Sequence, residues 1–173
     1  MAAQQRLSCM RTACIMNART FWYPGLPYTV TLSAASVDLI LRYRQRGWFS
    51  SEAGGLLFAK LSPREVSILE ATPPQKRDRR SGSSFQLHLP SAQALIDDRF
   101  ATNMHYVGEW HTHPQRHPKP SKLDYKTMAS VFEKSNHQLN ALIFLIAGTG
   151  NDAMGLWCGA HRNGQTLELA RRR

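Results

Sequence analysis

The run Gly108-Glu109-Trp110-His111-Thr112-His113-Pro114, followed by Ser121-Lys122-Leu123-Asp124, constrains this chain more than any other segment. Its first part alternates as a strand does, so residues two apart share a side and His111 and His113 point together. Pro114, Pro118 and Pro120 then carry the chain out of the sheet. Ser121 and Asp124 stand at the spacing of a helix N-cap and its N3 position. Side chains lean toward a helix N-terminus, which returns the Asp124 carboxylate to the strand end. The fold must therefore set the end of a strand against the start of a helix, as α/β arrangements do.

Two imidazoles and one carboxylate form a three-ligand set. Three protein ligands with one open position is the pattern of catalytic rather than structural zinc. A capping box alone accounts for Ser121 and Asp124 but leaves both histidines unexplained, and capping is compatible with metal binding. From the chain's own residue frequencies, the full H-x-H-x7-S-x2-D spacing arises by chance on the order of 10⁻³ times, which makes a weak His-x-His pair into a metal-site expectation. A hydrolytic site also needs a base. Glu109 shares the strand face of His111. Glu52 opens Glu52-Ala53-Gly54-Gly55, whose glycines permit close backbone approach. Spacing does not choose between them.

The 173 residues suit one domain with one sizeable core, and 42% hydrophobic against 20% charged residues excludes wholesale disorder. No apolar run approaches the roughly 18 residues that cross a bilayer, which excludes a transmembrane helix. Lys and Arg number 22 against 12 Asp and Glu, and the net charge of +10 attracts acidic partners without choosing among nucleic acid, protein and lipid. The one dense cluster, Lys76, Arg77, Arg79 and Arg80, reads as a solvated loop, with a partner contact as the second reading. Cys9, Cys14 and Cys158 form no CxxC pair, which fits a reducing, cytoplasmic setting. Residues 1–19 carry three arginines, no acid and no continuous apolar core. They read as a disordered extension, or as the product of an upstream start with the true start at Met10 or Met16, in preference to a transit peptide, with the domain over 20–173.

Periodicity places a short strand at 28–31 and a helix from Ser33 or Ser36 to about Gly47, with Val37, Ile40 and Leu41 on one face. A hairpin follows over 54–60 and 65–71. A strand at 85–89, a helix from Pro90-Ser91 to about Asn103, a strand at 106–111 and a helix after Ser121 come next. Strands at 139–147 and 153–160 close a mixed α/β arrangement. Cys158 reads as a core strand residue, as do Trp110, Phe144 and Trp157. His117 reads as a loop histidine, and His88, His105, His137 and His161 have no partner at ligand spacing.

With Glu52 in an E-x-G-G context, His111-x-His113-Pro114 and Ser121-x-x-Asp124, the sequence resembles the JAMM metallo-isopeptidases, the active branch of the MPN domain proteins, over residues 28–160. The resemblance implies a single JAMM/MPN (cytidine-deaminase-like) domain with a mixed β-sheet flanked by about three helices. It implies one Zn²⁺ per chain on His111, His113 and Asp124, with Glu52 as general base and Ser121 orienting the water or stabilising the oxyanion. Glu109 is left as a substrate-facing candidate. Lys76, Arg77, Arg79 and Arg80 are candidate contacts for a substrate tail.

By the same resemblance, the activity is cleavage after the C-terminal tail of a ubiquitin-like or analogously conjugated protein. The compact domain and the wording around His111 are most similar to bacterial stand-alone members. Some of these belong to CBASS anti-phage systems, where they release a CD-NTase from the targets to which it is conjugated. Two alternatives stand beside this: trimming of a sulfur-carrier protein, and a RadC-like basic nucleic-acid-binding relative. The basic loop lacks interleaved aromatics, which argues against a nucleic-acid partner.

Overall fold

The computed structural model describes residues 18–172 apart from 48, 49, 136, 138 and 152. The expected extension falls largely on residues 1–17, outside the described residues. Strand β1 (Arg19–Trp22) is followed by β2 (Thr29–Leu32), helix α1 (Ala34–Arg42), and the antiparallel pair β3 (Gly54–Ser62) and β4 (Glu65–Ala71). The short hairpin β5 (Arg79–Ser81) and β6 (Ser84–Gln86) leads to α2 (Leu89–Phe100), β7 (His105–Thr112), α3 (Lys122–Lys134) and β8 (Leu142–Ala147). The chain ends with β9 (Leu156–Arg162), β10 (Gln165–Glu168) and β11 (Ala170–Arg171).

Nine strands form one sheet in the order β10-β9-β8-β7-β3-β4-β2-β1-β11. The pairs β2–β4 and β7–β8 are parallel and the others antiparallel, so the sheet is mixed. Only Leu169 separates β10 from β11, which lie at opposite ends of that order. The two ends are therefore one continuous stretch of chain, and the sheet curls round on itself. Closure of this kind leaves few strand edges open to pair with another molecule.

Alternation along the strands sorts the core into an inner and an outer part. In β8, Ile143, Leu145 and Ala147 join the inner core with Val37 and Ile40 of α1, whereas Leu142, Phe144 and Ile146 face outward to Met128 of α3. In β3, Leu57 and Ala59 point in, and Leu56 and Phe58 point out to Ala92 of α2. Helix α1 thus fills the concave side of the sheet, and α2 and α3 cover the convex side. Trp110 and Cys158 lie in the inner core, and Phe144 and Trp157 in the outer one.

Several boundaries differ from the sequence reading. Helix α1 stops at Arg42, not near Gly47. Arg44 and Gln45 turn inward and are buried, with their side chains bonded to Asn151, Ser50 and Gly82. Tertiary bonds there override helix propensity. Half of the basic cluster is strand rather than loop, because Arg79 and Arg80 pair with Gln86 and Phe85. A 3₁₀ turn occupies Ala153–Gly155, so β9 begins three residues later than expected. The short strands β1, β10 and β11 carry too few residues for periodicity to reveal them.

Candidate active site

Which face of β7 the histidines occupy is decided four residues upstream. Opposite β3, the partner of Leu57 is Gly108 and that of Phe58 is Tyr106, so Val107 is the extra residue of a β-bulge. Tyr106 packs with the outer clusters, and strict alternation from it would turn Trp110 outward and His111 inward. The bulge shifts the phase by one. Trp110 and Thr112 are fully buried inside as a result, and Glu109, His111 and His113 open onto the convex side. Gly108 makes this possible. Its φ is +146°, and a Cβ there would stand 1.8 Å from the Ile143 carbonyl oxygen.

Beyond Thr112 the strand end is fixed from both sides. Thr112 and Ala53 exchange bonds: Thr112 N–H donates to the Ala53 carbonyl at 2.8 Å, and Ala53 N–H donates to Thr112 Oγ1 at 2.9 Å. The His113 N–H donates to the Ala147 carbonyl at 2.9 Å. The 114–120 loop is stitched to the turn after β8 by bonds from Thr149 and Gly150 to the carbonyls of Gln115 and Arg116. It delivers the chain to Ser121, the N-cap of α3. The capping box is complete: Ser121 Oγ accepts from Asp124 N–H at 3.2 Å and Asp124 Oδ2 accepts from Ser121 N–H at 2.5 Å.

Asp124 does not spend itself on the cap. Its Oδ1 lies 3.3 Å from His111 Nε2 and its Oδ2 lies 3.4 Å from His113 Nε2, and the two imidazole nitrogens are 3.1 Å apart. Two imidazole nitrogens and a carboxylate converging this closely fit a tetrahedral metal, whose ligand atoms at about 2.0–2.1 Å stand roughly 3.3 Å from one another. Among the described residues these three form the group that can hold a metal ion. The His113 ring also bonds the Lys119 backbone, the kind of outer contact that orients a ligand imidazole.

The titratable groups are strongly coupled. Burial pushes the Asp124 carboxyl up, but hydrogen bonds from His111 and His113 outweigh it and hold the group well below the usual carboxylate range. Burial disfavours charged His113, yet the bond to Asp124 raises it overall. Burial pushes Glu52 up to about 7, with His113 opposing and Asp124 adding to the rise. Glu109 is likewise pushed up to about 7 by burial, opposed by the Tyr106 hydroxyl, which donates to its Oε1 at 3.3 Å.

Both candidate bases line one cleft of about 280 Å³ with the three ligands and Ser121. Glu52 is 6% exposed and enters from the segment before β3, where its charge is felt by both His113 and Asp124. Glu109 lies one strand step further from the loop, beside Phe144 on β8 and held by Tyr106. All four residues of the basic cluster, Lys76, Arg77, Arg79 and Arg80, are exposed, and the Arg80 guanidinium turns back on the Glu52 and Ser51 carbonyls. His88 caps α2 by accepting from Ser91 N–H, a role its spacing did not reveal. Gly108 and Gln45 also escaped the sequence reading. An isolated glycine in a strand pattern is a signal for a bulge, whereas nothing local marks Gln45.

Residues 34–158 match the family described as prokaryotic homologs of the JAB domain. A protein of Enterobacter hormaechei named CD-NTase/cGAS isopeptidase is 29% identical over 131 residues, 75% of this chain and 72% of its own length. Proteins of the same name from Escherichia coli and Pseudomonas aeruginosa are 32% and 30% identical, over 65% and 60% of their lengths. A solution structure of a Desulfitobacterium hafniense protein superposes with a TM-score of 0.60 at 17% identity, over 80% of this chain and 88% of that one.

Proposed function

The chain belongs to the prokaryotic JAB-domain family, and we propose that it is a zinc-dependent isopeptidase that releases a CD-NTase-type protein from the amines to which its C-terminal tail is joined. The observation that carries this reading is the convergence of His111, His113 and Asp124 with buried Glu52 in one cleft. The names of the relatives direct it to a CD-NTase conjugate, and the resemblance to CBASS members adds a place in anti-phage defence. The buried free thiol of Cys158 suits a reducing cytoplasm, and no helix among the described residues is long and apolar enough to cross a membrane.

His111, His113 and Asp124 would hold the zinc. Bound there, it would supply a Lewis acid and lower the pKa of a water to about 7. Glu52, buried beside the ligands, accepts the proton of the attacking water and passes it to the departing amine. Ser121 spends one lone pair of Oγ on its cap and keeps its O–H to donate to the carbonyl oxygen as negative charge grows there. Glu109, held by the Tyr106 hydroxyl beside Phe144, faces substrate in the same cleft. Lys76, Arg77 and Arg79, all exposed, remain available to an acidic substrate surface.

The test uses a CD-NTase from the same organism, joined through its C-terminal carboxyl to the ε-amine of a fluorescent lysine. Wild type with stoichiometric zinc should release the lysine. Glu52→Ala should keep its zinc and lose about 10²–10⁴-fold in turnover, the usual contribution of a general acid–base group. Near-normal turnover in Glu52→Ala, with the loss appearing in Glu109→Ala instead, would reassign the base.

A further inference from the structure

Glu52 lies just outside the large sheet, and both polar groups of its main chain are taken by the β5–β6 hairpin. Its N–H donates to the Ser81 carbonyl at 2.7 Å, and its carbonyl accepts from Arg80 Nε at 2.7 Å. A second nitrogen of the same guanidinium reaches the Ser51 carbonyl at 3.4 Å. Gln45 completes the arrangement from below. It is 5% exposed, and its Nε2 donates to both the Ser50 and the Gly82 carbonyls at 3.1 Å. Both partners are acceptors, so the NH₂ end of the amide must face them. Among the described residues its Oε1 is buried without a partner, a penalty that an apolar residue of similar size would not carry. The two donated bonds are what the amide contributes.

We propose that Arg80 and Gln45 are positioning residues that hold Glu52 in register with the metal ligands through its main chain. The inference rests on the reading of Glu52 as the base. Ala53 is locked to Thr112 of the metal-bearing strand, whereas Glu52 is locked to the hairpin, so the Glu52 Cα sits at the joint between two bodies. The hairpin itself is seated by Phe85, whose ring occupies the space a Cβ on Gly54 would need, at 2.4 Å. The hairpin residues Ser83, Ser84 and Phe85 line the cleft, so substrate contact with the hairpin bears on the base through these bonds. The position of a general base matters because a displacement of about 1 Å can cost roughly 10²-fold in rate. On this proposal Arg80, an exposed residue whose guanidinium is anchored on the Glu52 and Ser51 carbonyls, acts through Glu52.

The experiment combines hydrogen exchange with steady-state cleavage of the CD-NTase–lysine conjugate, on zinc-loaded protein. In Arg80→Ala, amide exchange over residues 50–54 should quicken while zinc content stays at wild-type level. The same variant should lose about 10- to 100-fold in kcat with KM within about twofold. Arg80→Lys should recover part of kcat, since an ammonium can still donate to the Glu52 carbonyl. Gln45→Leu should shift kcat in the same direction as Arg80→Ala. A raised KM with intact kcat would overturn the proposal and make Arg80 a substrate contact. Unchanged kcat in Arg80→Ala, where Glu52→Ala abolishes turnover, would overturn it and leave the base assignment standing. Full turnover in Glu52→Ala would sink the base assignment, and the positioning role with it, whatever the exchange data show.

Discussion

One unbroken stretch from His111 to Asp124 supplies all three candidate metal ligands, whereas Glu52 is held in place by segments that reach from Gln45 to Phe85. The metal side is assembled by local rules: alternation on a strand, a proline-rich turn and a capping box. The base side depends on a buried amide, a guanidinium and a hairpin, none of which neighbours Glu52 closely in sequence. A site of this kind can keep its ligands while losing the register of its base. Metal content and turnover should therefore separate in variants of one side and move together in variants of the other.

The largest effect belongs to the ligands. His113→Ala and Asp124→Ala should each lose both zinc, measured per chain by elemental analysis, and all turnover, while the fold persists. Retention of stoichiometric zinc by Asp124→Ala would break the comparison, because the capping aspartate would then be only a cap. Gly108→Ala comes next and probes how local the metal side is. The added Cβ meets the Ile143 backbone, and overpacking of this kind costs about 1–3 kcal/mol and occasionally more. Thermal unfolding should shift downward and zinc affinity should fall with it, although no ligand has been touched. An unchanged affinity would mean that the spacing of the histidines suffices without the bulge.

The smallest effect sharpens the electrostatic side of the same comparison. In chelator-stripped protein the raised pKa of His113 contributes stability that is fully present below about 6.5, its ordinary value, and lost as pH rises through the raised one. The depressed carboxyl of Asp124 contributes stability above the ordinary aspartate range, lost only as pH falls well into acid. Stripped protein should then unfold at a higher temperature at pH 6 than at pH 8. Zinc-loaded protein should show the opposite trend, because the metal competes with protons for the imidazoles. Parallel trends in the two forms would show that His113 and Asp124 are not coupled as their distances indicate.

The metal side was legible because its information is short-ranged. His111 and His113 are two residues apart, and Ser121 and Asp124 three, so strand and helix geometry alone bring them together. Glu52 was recognisable only through the resemblance, since spacing left it level with Glu109. Position across the sheet supports the proposal of Glu52 as base: Gly54 lies opposite His111, which places Glu52 near the loop end of β7, whereas Glu109 lies two residues before His111, away from the loop. The early stop of α1 was invisible for a related reason. Arg44 and Gln45 are compatible with a helix by propensity, and what ends it is bonding to Asn151, Ser50 and Gly82.

By itself the sequence determined that the chain makes a mixed α/β fold, that His111, His113 and Asp124 meet at the junction of a strand and a helix, and that a glutamate stands by. These follow from periodicity and from capping chemistry, which act over a few residues. Tertiary structure alone decided that the histidines open outward, through one extra residue at Val107 and a glycine that lets the backbone of β8 approach. It also decided that the sheet closes through Leu169 and that the Glu52 main chain is held by Arg80 rather than by its own strand. Register, closure and long-range hydrogen bonds join residues far apart in the chain, and the identity of either partner alone carries no mark of the other.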